Sequence, residues 1–153
     1  MKIKIGQLIE DILEFKNCTI LSNQEIDVSD LNITVPIPDH KRALVKYIIK
    51  KENLTGLEIK TNSGKKVNCA RKHILRSNGL DVFAEDLVAN ETIDTIDGPD
   101  KIDSISLLED TAFYDIGIDA PHLYYDADGV LHHNTIITAT LSKITEQYGR
   151  SLV

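Results

Sequence analysis

Asn134 is the residue of this chain whose own chemistry can break a peptide bond, and its neighbours suit the reaction. The amide of an asparagine side chain can attack the residue's own backbone carbonyl, closing a succinimide and releasing whatever follows. Thr135, immediately after, offers a hydroxyl nucleophile. His133, immediately before, offers an imidazole that can donate a proton to the departing amine near neutral pH. A self-cleaving residue, a nucleophile and an acid are thus adjacent, so their reacting groups meet without long-range folding. His-Asn-Thr alone is a common tripeptide, and the elements that position it have to decide whether it is a site.

Directly upstream lies a hairpin, His122 to Tyr125 and Val130 to His132, around the turn Asp126-Ala127-Asp128-Gly129. His132 reads as the strand residue before the working pair. Earlier in the chain, Lys-Ile-Lys-Ile suits a short strand, and Gly6 to Phe15 has the spacing of an amphipathic helix. A polar, turn-rich stretch over 17–39 holds short strands near Glu25 to Val28 and Ile33 to Ile37. Strands are expected at Ala43 to Ile49, Leu57 to Lys60 and Lys66 to Cys69, then a hairpin of His73 to Arg76 and Leu80 to Phe83 around Asn78-Gly79. Ala84 to Leu87 reads as one helical turn, Asn90 to Lys101 as an acidic loop, and Asp103 to Leu108 and Ala112 to Ile118 as two more strands. The expected fold class is all-β.

Composition narrows the function. With 153 residues the chain can bury the core of one domain. Its 17 basic and 24 acidic residues give a net charge of -7, the wrong sign for a non-specific grip on nucleic acid. Aromatic residues make up 5% with no Trp, so there is no stacking platform for single strands. No run approaches the roughly 18 apolar residues of a membrane span, and the start lacks the apolar core of a signal peptide. A soluble, cytoplasmic chain is expected. Cys18 and Cys69 form no CxxC pair, and the five histidines, His40, His73, His122, His132 and His133, show no HxxxH or HExxH spacing. Neither a disulfide framework nor a metal or cofactor site is indicated.

Tyr114-Asp115-Ile116, Pro121-His122-Leu123-Tyr124 and Asp128-Gly129-Val130-Leu131, followed by His133-Asn134-Thr135, resemble the carboxyl-terminal splicing motif of inteins without a gap. SGKKVNCARKHILRSNGLDVFAEDL resembles the intein pattern in which a strand leads through Thr-x-x-His to a hairpin and an acidic-Leu turn, with His73 at the histidine. The resemblance is strongest over 64–87 and 113–135. It implies the curved horseshoe of the intein and hedgehog-processing (Hint) family over about residues 1–134. The shortness of the 90–101 segment implies a mini-intein without a homing endonuclease.

The resemblance also implies roles. A cysteine opening an amino-terminal fragment would attack the preceding peptide bond, with His73 distorting that bond and protonating its amine. Thr135 would take the acyl group, activated and oriented by Asp115. Asn134 would then cyclise, with His122 supporting the amide or the oxyanion and His133 protonating the leaving group. Blander roles remain open: His73 and His122 as packed, hydrogen-bonded histidines, Asp115 as a partner for backbone donors, Cys69 as a small buried side chain. Ala70 departs from the family's usual threonine, so Asn68, Cys69 or Lys72 would supply the missing hydrogen bond, or the first step leans on His73 alone.

In inteins a stretch like KIKIGQLIE follows some way after the first cysteine, so the chain resembles the larger, carboxyl-terminal fragment of a split intein broken near its amino end. The implied partner is a short amino-terminal intein fragment beginning with cysteine. Cys18 is the alternative start, but Thr19-Ile20-Leu21-Ser22 does not match the usual opening. Acidic residues over 85–119 would steer a basic partner. Beyond Asn134, residues 136–148 have helical spacing, Gly149 is a fitting cap and Arg150 to Val153 starts a strand. This tail, 135–153, resembles the segment after the phosphate-binding lysine in P-loop ATPases, especially phage superfamily-two helicases of the UvsW type. No GxxxxGK precedes Thr135, so the missing glycines and lysine would lie on the partner. Two other functions stay open: an intein-like domain that only cleaves itself, and a β-rich interaction module in which His-Asn-Thr is coincidence.

Overall fold

The computed structural model describes residues 4–16 and 25–134. In chain order the elements are helix α1 (Ile5–Lys16) and strands β1 (Glu25–Asp27), β2 (Thr34–Ile37), β3 (Lys41–Thr61), β4 (Lys66–Ala70), β5 (Ile74–Ser77), β6 (Leu80–Phe83), β7 (Thr92–Thr95), β8 (Gly98–Ile118), β9 (Leu123–Tyr125) and β10 (Leu131–His133). One sheet runs β1-β3-β8-β7, with β2 and β4 also paired to β3, and a second runs β6-β5-β10-β9. Every pairing is antiparallel.

The spine is the ladder between β3 and β8, each 21 residues long. The alternation predicted two strands in each place, broken by the polar stretches at 51–53 and 109–110. The structure carries the ladder through, because register shifts between Lys51 and Leu54 and between Leu54 and Gly56 absorb the interruption. At the second shift Gly56 sits under the Phe113 ring and against the Cys69 carbonyl oxygen, where a Cβ would collide with both.

The expected acidic loop over 90–101 is a hairpin instead. Thr92 pairs with Lys101 and Thr95 with Gly98, whose positive φ of 101° closes the turn after Asp97. Its acidity has a structural use: the Asp94 carboxylate accepts the backbone N–H groups of Asn78 (3.0 Å) and Gly79 (2.9 Å). Asn78 and Gly79 both have positive φ, the mark of the tight turn that joins β5 to β6 as their dipeptide predicts. The helical turn expected at Ala84 is a 3-10 turn over Ala84–Asp86. Ile5 already belongs to α1, so the opening strand expected from Lys-Ile-Lys-Ile does not extend into the described residues.

Two apolar cores result. In the first, Ile9, Ile12 and Leu13 of α1 pack on Val45 and Ile48 of β3 and Ile116 of β8. The Glu10 carboxylate fastens the helix there by accepting from Lys50 Nζ at 2.9 Å and Tyr114 Oη at 2.7 Å. The second gathers Ile59, Val67, Leu75, Ile93, Ile102 and Val130. Each fully buried aliphatic side chain contributes about 1.5–3 kcal/mol, so the two cores fix the strand ends between which the candidate residues lie. Among the described residues no helix is long and apolar enough to cross a membrane.

Candidate active site

Register brings the candidate residues together. β10 is an inner strand, with His132 opposite Leu75 of β5 and Tyr124 of β9, and His133 opposite Ile74 and Leu123. One residue further along both ladders stand His73, Asn134 and His122. The Asn134 backbone N–H donates to the His122 carbonyl oxygen at 2.7 Å, and Ala84 N–H closes the β6 side by donating to the His73 carbonyl oxygen at 2.8 Å. The turn feeding β10 is locked by Asp126, whose Oδ1 accepts the N–H groups of Asp128 (2.9 Å) and Val130 (3.0 Å). Lys65 Nζ ties that turn to the main sheet through the Asp128 carbonyl oxygen at 2.7 Å.

Asn134 is 4% exposed at the end of β10. His133 Nδ1 lies 3.1 Å from the Asn134 carbonyl oxygen, so a protonated Nδ1 donates to the oxygen on which negative charge would grow if the side-chain amide attacked. The resemblance implies that His122 serves the amide or the oxyanion and His133 the leaving group; here it is His133 Nδ1 that faces the Asn134 carbonyl oxygen. His122, at φ 67°, donates from Nδ1 to the Ile118 carbonyl oxygen at 3.1 Å, which leaves Nε2 of the neutral ring as an acceptor. Its ring centroid lies 6.2 Å from that of His133. Thr135 and the tail behind it lie outside the described residues, as does Cys18.

The second cluster lies on the β5 side. His73, its side chain 8% exposed, has Nδ1 3.8 Å from Asp115 Oδ2 and Nε2 2.7 Å from His132 Nδ1. Burial pushes the His73 imidazole down to about 4, with His132 and Lys51 adding to the effect against the carboxylates of Asp115 and Asp126. Asp115 is buried, and its Oδ1 accepts from Tyr124 Oη at 2.9 Å and from the Ile116 N–H at 2.8 Å. Burial, then the nearby Asp115, lifts the Tyr124 hydroxyl well above its usual range. His132 stacks on the Tyr124 ring, centroids 5.1 Å apart at 6°, and its Nε2 lies 2.7 Å from Asp126 Oδ2.

A groove of about 310 Å³ opens beside His73, lined also by Lys51, Ala70, Lys72, Phe113 and Asp115. Of the substitutes considered for the absent threonine, Cys69 is buried and its thiol is pushed up to about 12 by burial and then Asp115. Lys72 lines the groove, but its ammonium is held by Glu85 at 2.6 Å, and Asn68 borders a different cavity, with Lys66 and Asp128. The groove wall at Ala70 thus presents a methyl group next to the His73 imidazole.

His132, Asp126 and Tyr124 were missed as members of this cluster. A signal was present: adjacent strand residues face opposite sides, so of two consecutive histidines one had to point inward, where a polar side chain needs partners.

An antiparallel β domain built on two long paired strands, with β10 running between β5 and β9, has the intein (Hint) fold, and solved structures bear this out. The chain is similar to the TvoVMA intein at TM-score 0.73 and 18% identity, over 87% of this chain and 89% of that one. The PabCDC21-1 intein matches at TM-score 0.70 and 22% identity, over 87% and 89%. A transcription factor IIB Mvu mini-intein matches at 0.69 and 19%, over 86% and 90%. No protein-family model and no curated protein matches the sequence.

Proposed function

We propose that this chain is the carboxyl-terminal part of a split intein, which joins a separate amino-terminal fragment, excises itself and ligates the flanking segments. The observation that carries this reading is the buried Asn134, with its own carbonyl oxygen facing His133 Nδ1 at 3.1 Å, at the end of an inner strand of an intein fold. A thiol from elsewhere than Cys69 is favoured, because Cys69, the cysteine among the described residues, is buried and pushed up to about 12 and so cannot open the reaction as a thiolate near neutral pH. A cysteine entering with another segment can reach His73 and Asp115 through the groove beside them.

In the proposed sequence the incoming thiol attacks its own peptide bond while His73 serves the departing amine. Thr135 accepts the acyl group, with Asp115 as its orienting base. Asn134 then cyclises under the His133 donor with His122 adjacent, and the ester passes to an amide. The segment ligated through Thr135 is part of a P-loop ATPase or helicase, in which that hydroxyl takes the magnesium-ligating place once a Gly-Lys precedes it. A reducing cytoplasm suits a thiol-dependent step.

The test is to mix the chain with a synthetic peptide that begins in cysteine, carries a short leader and is patterned on intein openings, and to follow intact masses. A ligated product carrying residues 135–153 is expected. Release of 135–153 alone would mark a self-cleaving domain, and unchanged masses a binding module. Thr135→Ala is expected to stop ligation and to permit cleavage after Asn134; full splicing by that variant would remove Thr135 from the mechanism.

A further inference from the structure

The described histidines include one for which the proposed splicing steps have no use, and its surroundings are built rather than incidental. His132 is 7% exposed, flat against Tyr124, and contacts a partner at each ring nitrogen. Nε2 faces Asp126 Oδ2 at 2.7 Å and Nδ1 faces His73 Nε2 at 2.7 Å. Asp126 is itself fixed: its other oxygen accepts two backbone N–H groups. The chain of contacts Asp126, His132, His73 therefore ends at His73 Nδ1, on the groove side with Asp115.

Hydrogen-bond logic allows two states of this chain. Asp126 is an ionised acceptor, because burial, which would raise its carboxyl, is outweighed by the His132 hydrogen bond and the two amides. His132 Nε2 must then carry a proton. If His132 is neutral, its Nδ1 accepts from His73 Nε2–H, and His73 presents a bare lone pair at Nδ1. If His132 is an imidazolium, its Nδ1–H donates to His73 Nε2, and a neutral His73 carries its proton at Nδ1, where a departing amine can take it.

We propose that His132, anchored by Asp126, is a positioning residue that stores a proton for His73: it sets which nitrogen of His73 is protonated and replaces the proton His73 gives up. This rests on the splicing reading above. In the amino-terminal step the thiol sheds its proton to water, a C–S bond forms and the C–N bond breaks. The amine nitrogen takes the Nδ1 proton of His73 as the His132 Nδ1 proton moves to His73 Nε2, and the pair is reset when solvent in the groove protonates His73 Nδ1 and the Nε2 proton returns to His132 Nδ1. His73, held down to about 4 by burial, never needs to be cationic. The other groups facing the two rings are Asp115 of β8, Lys51 of β3 and Tyr124 of β9; Tyr124 keeps its proton.

The test reads the imidazole nitrogens of the whole chain by nitrogen-15 NMR from about pH 5 to pH 8, the range in which histidines change charge. Acidification is expected to protonate both nitrogens of His132 and to move the His73 proton from Nε2 to Nδ1 in one joint transition, which Asp126→Asn displaces to lower pH. A His132 that keeps a single proton throughout, or a His73 that never switches nitrogen, overturns the relay. In the assembled protein, His132→Gln is expected to slow thiol-induced amino-terminal cleavage at neutral pH by on the order of tenfold to a hundredfold and to remove its acid-side pH dependence. Cleavage with an unchanged pH profile in that variant overturns the relay and leaves splicing standing. A joint NMR transition without cleavage in any variant does the reverse.

Discussion

An asparagine in a free chain cyclises slowly because its carbonyl is solvated and its side chain wanders; Asn134 is buried, with an imidazole donor on the carbonyl oxygen. Asn134→Ala is expected to abolish cleavage before residue 135, read as a missing succinimide-ended mass. Under the proposed reaction, His133→Ala removes the donor facing the Asn134 carbonyl oxygen and is expected to slow that cleavage by about a hundredfold or more, with the amino-terminal step unaffected. His73 makes a different prediction. Its imidazole titrates near 6.5 when unfolded and at about 4 when folded, so between these values the unfolded chain binds the extra proton. Its contribution to stability is complete above about 6.5 and is lost as pH falls toward 4, on the order of 3 kcal/mol in total. Thermal midpoints are expected to drop over that interval and to drop less in His73→Gln. The sequence marked Asn134 and His133 because their chemistry is local. It passed over His132 because two adjacent histidines look alike until strand parity sends one inward.

Strands β3 and β8 carry each other across both cores, and next to one of their register shifts Gly56 leaves no room for a side chain. Gly56→Ala is expected to destabilise by about 1–3 kcal/mol, seen as a lower urea midpoint, because the new methyl meets the Phe113 ring and a backbone carbonyl oxygen rather than a flexible chain end. The hairpins were legible where turn chemistry is explicit, as at Asn78-Gly79 and Asp126 to Gly129. The length of β3 and β8 was not, since a register shift lets polar residues sit in a continuous ladder and erases the alternation that sequence reasoning counts. The hairpin of β7 and β8 was hidden for the opposite reason: its acidic residues resembled a loop while one of them caps the β5–β6 turn.

At the scale of the whole molecule the net charge of -7 would favour the approach of a basic partner. Under the proposed trans reaction, capture of a basic amino-terminal fragment is expected to slow several-fold as salt rises from low to physiological strength; a rate indifferent to salt would remove steering from the account. The fold class was legible, because hairpin signals recur along the chain and two motifs resemble one family. How the clusters meet was not, since His73 and His132 are brought together by β5 and β10 pairing across a long stretch of sequence. That pairing has an outcome beyond chemistry. β10 is held on both flanks, and the Asn134 backbone N–H is bonded to His122, so severing the chain after Asn134 breaks none of these pairings. Under the proposed reaction Asn134 is consumed in the cut, so each molecule would serve once and the yield of joined product would track stoichiometry rather than time.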